Sequence, residues 1–216
     1  GEYIHELSAL HHTADGKPTW RYYWQVGVNG STYPTHSLGP CLMWVKERPA
    51  QISCIGTGRW TDPEHAMEDT VLLLCKTASG KLMRVRVDML SKRPHAQTNY
   101  TLQGTKGCYE SARRKGEGNW VWVEGHCKDA NTWVPLETFD EYLPDFWRNP
   151  PAEALAAGHG GGDYFEVVDF VDAISGRRPP AIGIHEAMDM TLPGLASQQS
   201  IAQGGRWVDV PDSRQW

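Results

Sequence analysis

Apolar and polar positions alternate through much of the first two-thirds of the chain. In residues 81–90, Met83, Val85, Val87 and Met89 fall on one face and Arg84, Arg86 and Asp88 on the other. Such period-two alternation predicts a half-buried strand with one polar face. The run 70–77 precedes it, and Ala78-Ser79-Gly80 between the two predicts a hairpin with glycine at the turn. Residues 2–12, with Tyr3, Ile4, Leu7 and Leu10, predict one extended strand, and residues 50–60 another. Residues 97–103 and 108–112 flank a second turn, Gly104-Thr105-Lys106-Gly107. Residues 119–124 and 207–210 complete the strand set.

The helical period appears later and less often. Leu38, Cys41, Leu42 and Val45 recur at i, i+3, i+4 and i+7 across residues 36–46, with Thr35 as the expected cap. Residues 163–175 carry the stripe Tyr164, Val167, Val168, Val171 and Ile174, with Gly176 as the left-handed stop. Residues 186–203 predict a further helix, kinked at Pro193. Hairpin-linked strands followed by helices predict an α+β fold: an open, largely antiparallel sheet with helices on one face, in one domain over residues 1–216. Residues 149–162, rich in proline and glycine, predict a functional loop.

With 40% apolar and 22% charged residues, the 216-residue chain is long and apolar enough to build a core. A net charge of −5 argues against a nucleic-acid partner. The longest apolar run, residues 71–75, is strand-sized and far below the ~18–20 residues of a membrane span. The chain opens on Gly1 without a signal-like segment, which predicts a processed or excised chain. Five widely spaced cysteines with no C-x-x-C pair predict free thiols rather than a disulfide or zinc scaffold. Ten tryptophans either stack on sugars or fill interfaces.

Four segments carry candidate chemistry. Tyr33-Pro34-Thr35-His36 presents a tyrosine and a histidine rigidly at a loop-to-helix junction, suited to acid–base work or to a structural histidine. Gly158-His159-Gly160-Gly161-Gly162-Asp163 permits close ligand approach before a helix, or serves as a flexible cap. It is no dinucleotide fingerprint, because Asp163 stands where the last glycine belongs. Arg93-Pro94-His95 offers a hydroxyl or carboxylate clamp, or a surface ion pair. His11-His12 with Glu6 and Asp15 raises a metal only faintly, since neighbouring strand residues point to opposite faces; no metal ligand is assigned.

Trp20-Arg21, Asn29-Gly30, the Tyr33–His36 tetrad and Leu38-Gly39-Pro40 resemble the Gfo/Idh/MocA oxidoreductase family, and within it the NAD-dependent family 109 glycosidases of α-N-acetylgalactosaminidase type. The resemblance continues in order through Ser91-Lys92-Arg93-Pro94, Gln103-Gly104-Thr105-Lys106-Gly107, Val123-Glu124-Gly125, Gly158-His159-Gly160-Gly161, Asp172-Ala173-Ile174 and Val208-Asp209-Val210-Pro211-Asp212. It matches only the second part of a two-part enzyme. The nucleotide-binding Rossmann part and its Glu-Lys-Pro segment have no counterpart in this chain.

The resemblance implies a carbohydrate-binding C-terminal domain whose NAD(P) is carried by a Rossmann domain, in cis or in trans, and is not bound by this chain alone. In the glycosidase branch a sugar hydroxyl is oxidised, the aglycone is eliminated, water adds and the ketone is reduced again. Tyr33 and His36 are then the proton-transfer residues, and His159, Arg21, Arg93 and Asp163 the substrate contacts. Where many dehydrogenase relatives carry Asp and His four residues apart, this chain has His36 and Pro40, which favours the glycosidase branch. His95 stands where that branch often has an aromatic residue, leaving the sugar open. The family also implies a homo-oligomer through the sheet face, and a bacterial cytoplasmic or periplasmic location. A stand-alone sugar-binding or oligomerisation module is the alternative. The first reading requires Tyr33 and His36 at the mouth of a pocket that a nucleotide-carrying lobe closes.

Overall fold

A computed structural model describes all 216 residues. In chain order its strands are β1 (Glu2–Ile4), β2 (Pro49–Gly56), β3 (Thr70–Thr77), β4 (Leu82–Asp88), β5 (Ala96–Asn99), β6 (Thr101–Gln103), β7 (Gly107–Glu110), β8 (Trp120–Val123), β9 (Val134–Pro135) and β10 (Val208–Asp209). The helices are α1 (Trp20–Trp24), α2 (Thr35–Val45), α3 (Asp145–Arg148), α4 (Ala152–Ala156), α5 (Gly162–Ile174) and α6 (Ile184–Ala202). Six strands form one sheet in the order β10-β2-β3-β4-β1-β5, and four form a second, β6-β7-β8-β9. Every pairing is antiparallel except β1 with β4.

The core lies between the six-stranded sheet and the helices α2 and α6 on one face. Ile52, Cys54, Val71, Leu73, Cys75, Met83, Val85 and Val87 point inward and are buried, against Leu38 and Cys41 of α2 and Leu192 of α6. Burying each large apolar side chain contributes roughly 1.5–3 kcal/mol, so this layer dominates the stability of the fold. Two buried serines fasten α6 to it. Ser200 Oγ accepts the Cys54 N–H (2.8 Å) and Ser197 Oγ accepts the Ser31 N–H (2.8 Å). Both hydroxyls then donate to backbone carbonyls, of Arg206 and Gly194.

Several expectations need correction. The first strand stops at Ile4. The backbone then turns into a 3-10 segment, Ser8–Leu10, where the Glu6 carboxylate accepts the Ser8 N–H. Asp88 does not share a solvent-facing polar side with Arg84. It is fully buried, and its carboxylate accepts from Thr70, Arg86 and Ser91. Burial pushes that carboxyl up, but these bonds outweigh it and hold the group below its usual value. Pro193 lies inside α6, which continues through it. Residues 149–162 are not one open loop but contain α4 and a 3-10 turn, His159–Gly161. The stripe of α5 reaches no core, since none of its thirteen residues is buried.

Cys41, Cys54 and Cys75 are buried free thiols, and Cys108 and Cys127 are free and half-buried. None of the ten tryptophans is buried. No helix is long and apolar enough to cross a membrane.

Candidate functional site

The tetrad at the start of α2 is held from beneath. Pro34, with φ −81° and ψ −23°, is already helical and takes the cap position expected for Thr35, whose side chain makes no capping bond. The Pro34 carbonyl accepts the N–H groups of Ser37 and Leu38. Gly194 of α6 presses against the proline ring: a Cβ there would lie 2.7 Å from Pro34 Cγ and 2.8 Å from the Ser31 carbonyl oxygen. Tyr100 fixes the far side, its hydroxyl donating to the His36 carbonyl at 2.7 Å.

Tyr33 stands just before the Pro34 cap and His36 in the first turn of α2. Both rings meet Tyr3, with centroids 5.0 Å from Tyr33 and 4.7 Å from His36. Both side chains are half-buried. His36 Nδ1 is shielded from solvent and has no protein partner. A buried ring nitrogen left open in this way calls for a functional explanation. Burial, with a smaller contribution from the neighbouring His159, holds the His36 imidazole below its usual pKa, so it is neutral at neutral pH and able to accept a proton.

Tyr3 and His5 extend the cluster, and sequence reasoning missed both. His5 Nδ1 lies 2.9 Å from the Tyr3 hydroxyl and beside the Gln97 amide nitrogen. Burial, followed by His95, whose ring centroid is 4.0 Å away, keeps His5 below its usual pKa. Burial and then Tyr33 raise the Tyr3 hydroxyl. The signal was present in the sequence: residues 3 and 5 share one face of a strand, and both carry proton-handling groups.

The remaining candidates divide. Arg21 lies near enough for its charge to act on Tyr3 and His5; its guanidinium covers the Trp20 ring at 4.5 Å and donates to Gln25 Oε1 at 3.0 Å. His159 is exposed in a left-handed conformation (φ 52°) with its Nδ1 2.7 Å from Asp163 Oδ1. Asp163 therefore orients His159, and the charge of His159 contributes to holding the His36 imidazole below its usual value. Arg93 is exposed, and its one hydrogen bond runs from Nε to the Pro94 carbonyl at 3.4 Å; no contact ties it to the cluster. His11 and His12 diverge: His11 packs on His65 and His12 on Tyr22.

The glycine run before α5 does not fit the pyrophosphate of a dinucleotide. Asp163 fills the space before α5, its Oδ2 2.4 Å from where a Gly158 Cβ would stand, and an anionic side chain there repels a pyrophosphate. No group of three or more His, Cys, Asp or Glu side chains is arranged to hold a metal ion. Two clefts, one beside α5 and one beside Lys46, Arg48 and Arg214, contain neither Tyr33 nor His36.

Comparison with known proteins gives this cluster a context. Residues 57–215 match the family described as glycosyl hydrolase 109, C-terminal domain. An α-N-acetylgalactosaminidase from Tannerella forsythia is 30% identical over 93% of this chain and 46% of its own length. A glycosyl hydrolase family 109 protein from Parabacteroides distasonis is 29% identical over the same shares. The chain thus spans about half the length of the curated relatives it matches. Among solved structures, a levoglucosan dehydrogenase in complex with NADH and levoglucosan superposes with a TM-score of 0.70 at 19% identity, over 98% of this chain and 57% of that one. An inositol dehydrogenase homolog from Azotobacter vinelandii, complexed with NADH and myo-inositol, gives 0.66 at 18%, over 96% and 55%. These likenesses show the fold alone: nearly the whole of this chain takes the fold of somewhat more than half of each of those chains. The chain belongs to glycosyl hydrolase family 109, of which it carries the C-terminal domain.

Proposed function

We propose that this chain is the carbohydrate-binding half of an NAD(P)-dependent sugar oxidoreductase or oxidative glycosidase. The hydride chemistry belongs to a nucleotide-binding half, joined in cis or acting in trans. The observation that carries this reading is the convergence of Tyr3, His5, Tyr33 and His36 on one half-buried patch.

In this reading His36, neutral, accepts a proton from the sugar, at a hydroxyl or at carbon, through Nε2, the ring nitrogen that is not shielded. Tyr33 donates to or receives from the same sugar. Tyr3 and His5 hold the patch in its hydrogen-bonded arrangement, and Arg21 and His159 hold sugar hydroxyls from two sides. Arg93 contacts the sugar from the outer rim. A sugar stacked near Trp20 has the C–H face that an indole takes. Two copies pair through the open sheet face, where Ile55, Leu72 and Leu82 are exposed.

The test is a tryptophan-fluorescence titration of this chain with N-acetylgalactosaminides and with NAD, alone and joined to the nucleotide-binding half. Sugar should change the emission of the chain, and His36→Gln should abolish the change; NAD should act only on the joined form. In the joined form Tyr33→Phe and His36→Gln should each lower turnover by roughly 10²–10⁴. Tight NAD binding by this chain alone, or sugar-blind behaviour in both forms, overturns the reading. Sugar binding with no nucleotide half to join favours the stand-alone module.

A further inference from the structure

Helix α5 has two apolar sides and only one of them is covered. Phe165 packs on Phe146 and Trp147, at ring-centroid distances of 5.1 Å and 4.8 Å. Val167, Phe170, Val171 and Ile174 form the other side, and they are 61%, 65%, 40% and 68% exposed. Their spacing, i, i+3, i+4 and i+7, is that of a seam by which a helix buries itself against another element. Single exposed apolar side chains are ordinary; a contiguous stripe marks an interaction surface.

Three observations choose its occupant. The relatives are longer: this chain spans 46% of the Tannerella forsythia protein and 57% of the NADH-bound dehydrogenase, so each has a second half that adjoins this one. The stripe is continuous with two of the candidate substrate contacts, because Asp163 stands in the first turn of α5 and holds His159. A lobe that closes over a sugar held by these two residues borders the first turn of α5. Finally, the stripe itself carries no charge, and two of the helix's carboxylates are held within this chain. Asp169 pairs with Arg178, and Asp172 with Arg177 and Arg178, which leaves the stripe an apolar surface suited to an apolar partner face.

We propose that the stripe of Val167, Phe170, Val171 and Ile174 is the surface on which the nucleotide-binding half docks. This rests on the function proposed above and adds the place of contact. Hydrogen exchange on this chain, and on the longer polypeptide read in frame from the same gene, tests it with and without NAD. Amides of residues 162–174 should exchange at least tenfold more slowly in the longer polypeptide. Val167→Asp with Val171→Asp should return them to the rate of the short chain, while circular dichroism shows the fold retained. If the longer polypeptide binds NAD and its added protection falls elsewhere, the dock is overturned and the proposed function stands. If neither the longer polypeptide nor a mixture of this chain with a separately encoded nucleotide-binding protein binds NAD, both fall. Protection of α5 that rises with the concentration of the short chain assigns the stripe to a second copy and overturns the dock.

Discussion

The inner face of β2, β3 and β4 and the outer stripe of α5 are made of the same kinds of side chain and meet opposite surroundings. Val71, Leu73, Val85 and Val87 are fully buried; Val167, Phe170 and Ile174 are each more than 60% exposed. Periodicity is equally clear in both. What differs is the neighbour: α2 and α6 cover the sheet within this chain, and nothing within this chain covers the outer stripe of α5. Apolar patterning therefore reports that a face needs a partner, not that the same chain supplies it.

The largest expected effect tests that contrast directly. Leu73→Ala empties a fully buried site and should cost about 2–5 kcal/mol in denaturant unfolding. Phe170→Ala on the stripe should cost less than ~0.5 kcal/mol in the isolated chain. Comparable losses would mean that α5 is packed after all.

That contrast also marks how far sequence reasoning reaches. The β3–β4 hairpin, the α6 region and the glycine stop at Gly176 (φ 69°) were legible because local alternation and turn chemistry fix them. Residues 5–12 were not, because the bond from Ser8 N–H to Glu6 competes with the sheet ladder and leaves no periodic trace. The site was half legible. Tyr33 and His36 stood out beside a proline. Tyr3 and His5 did not, because their convergence on the tetrad is a contact across the fold. Asp88 misled for a related reason: alternation placed it on a polar face but not the Thr70 and Ser91 groups that bury it.

Two further substitutions sharpen the comparison at the foundation of the site. Gly194→Ala forces a methyl group into the Pro34 ring and the Ser31 carbonyl, and should cost about 1–3 kcal/mol. It should also disturb the Tyr33 and His36 signals in NMR spectra, which a remote core change of equal cost would leave in place. Ser200→Ala strands the buried Cys54 N–H and should cost about 1–3 kcal/mol. Ser175→Ala, at the end of the uncovered helix, has no such bond to lose and should be close to neutral.

The smallest expected effect is electrostatic. His36 titrates below the usual ~6.5 of an imidazole, so the unfolded chain takes up this proton first on acidification. Its contribution to stability is full above ~6.5 and is lost as pH falls through the folded value. Replacing His159 by Ala should move the His36 titration upward toward normal in an NMR pH series, because one of the lowering influences is gone. An unmoved midpoint would separate His159 from the cluster.

The distribution of thiols has a practical outcome. Burial pushes Cys54 up to about 11 and raises Cys75 as well, so neither supplies thiolate to an alkylating reagent near neutrality. Cys108 in β7 and Cys127 just after β8 both lie with the four-stranded sheet and are only half-covered. A maleimide dye added to the folded protein will mark that sheet alone and leave the helix-covered layer untouched, so an optical reporter can be installed without engineering a single codon.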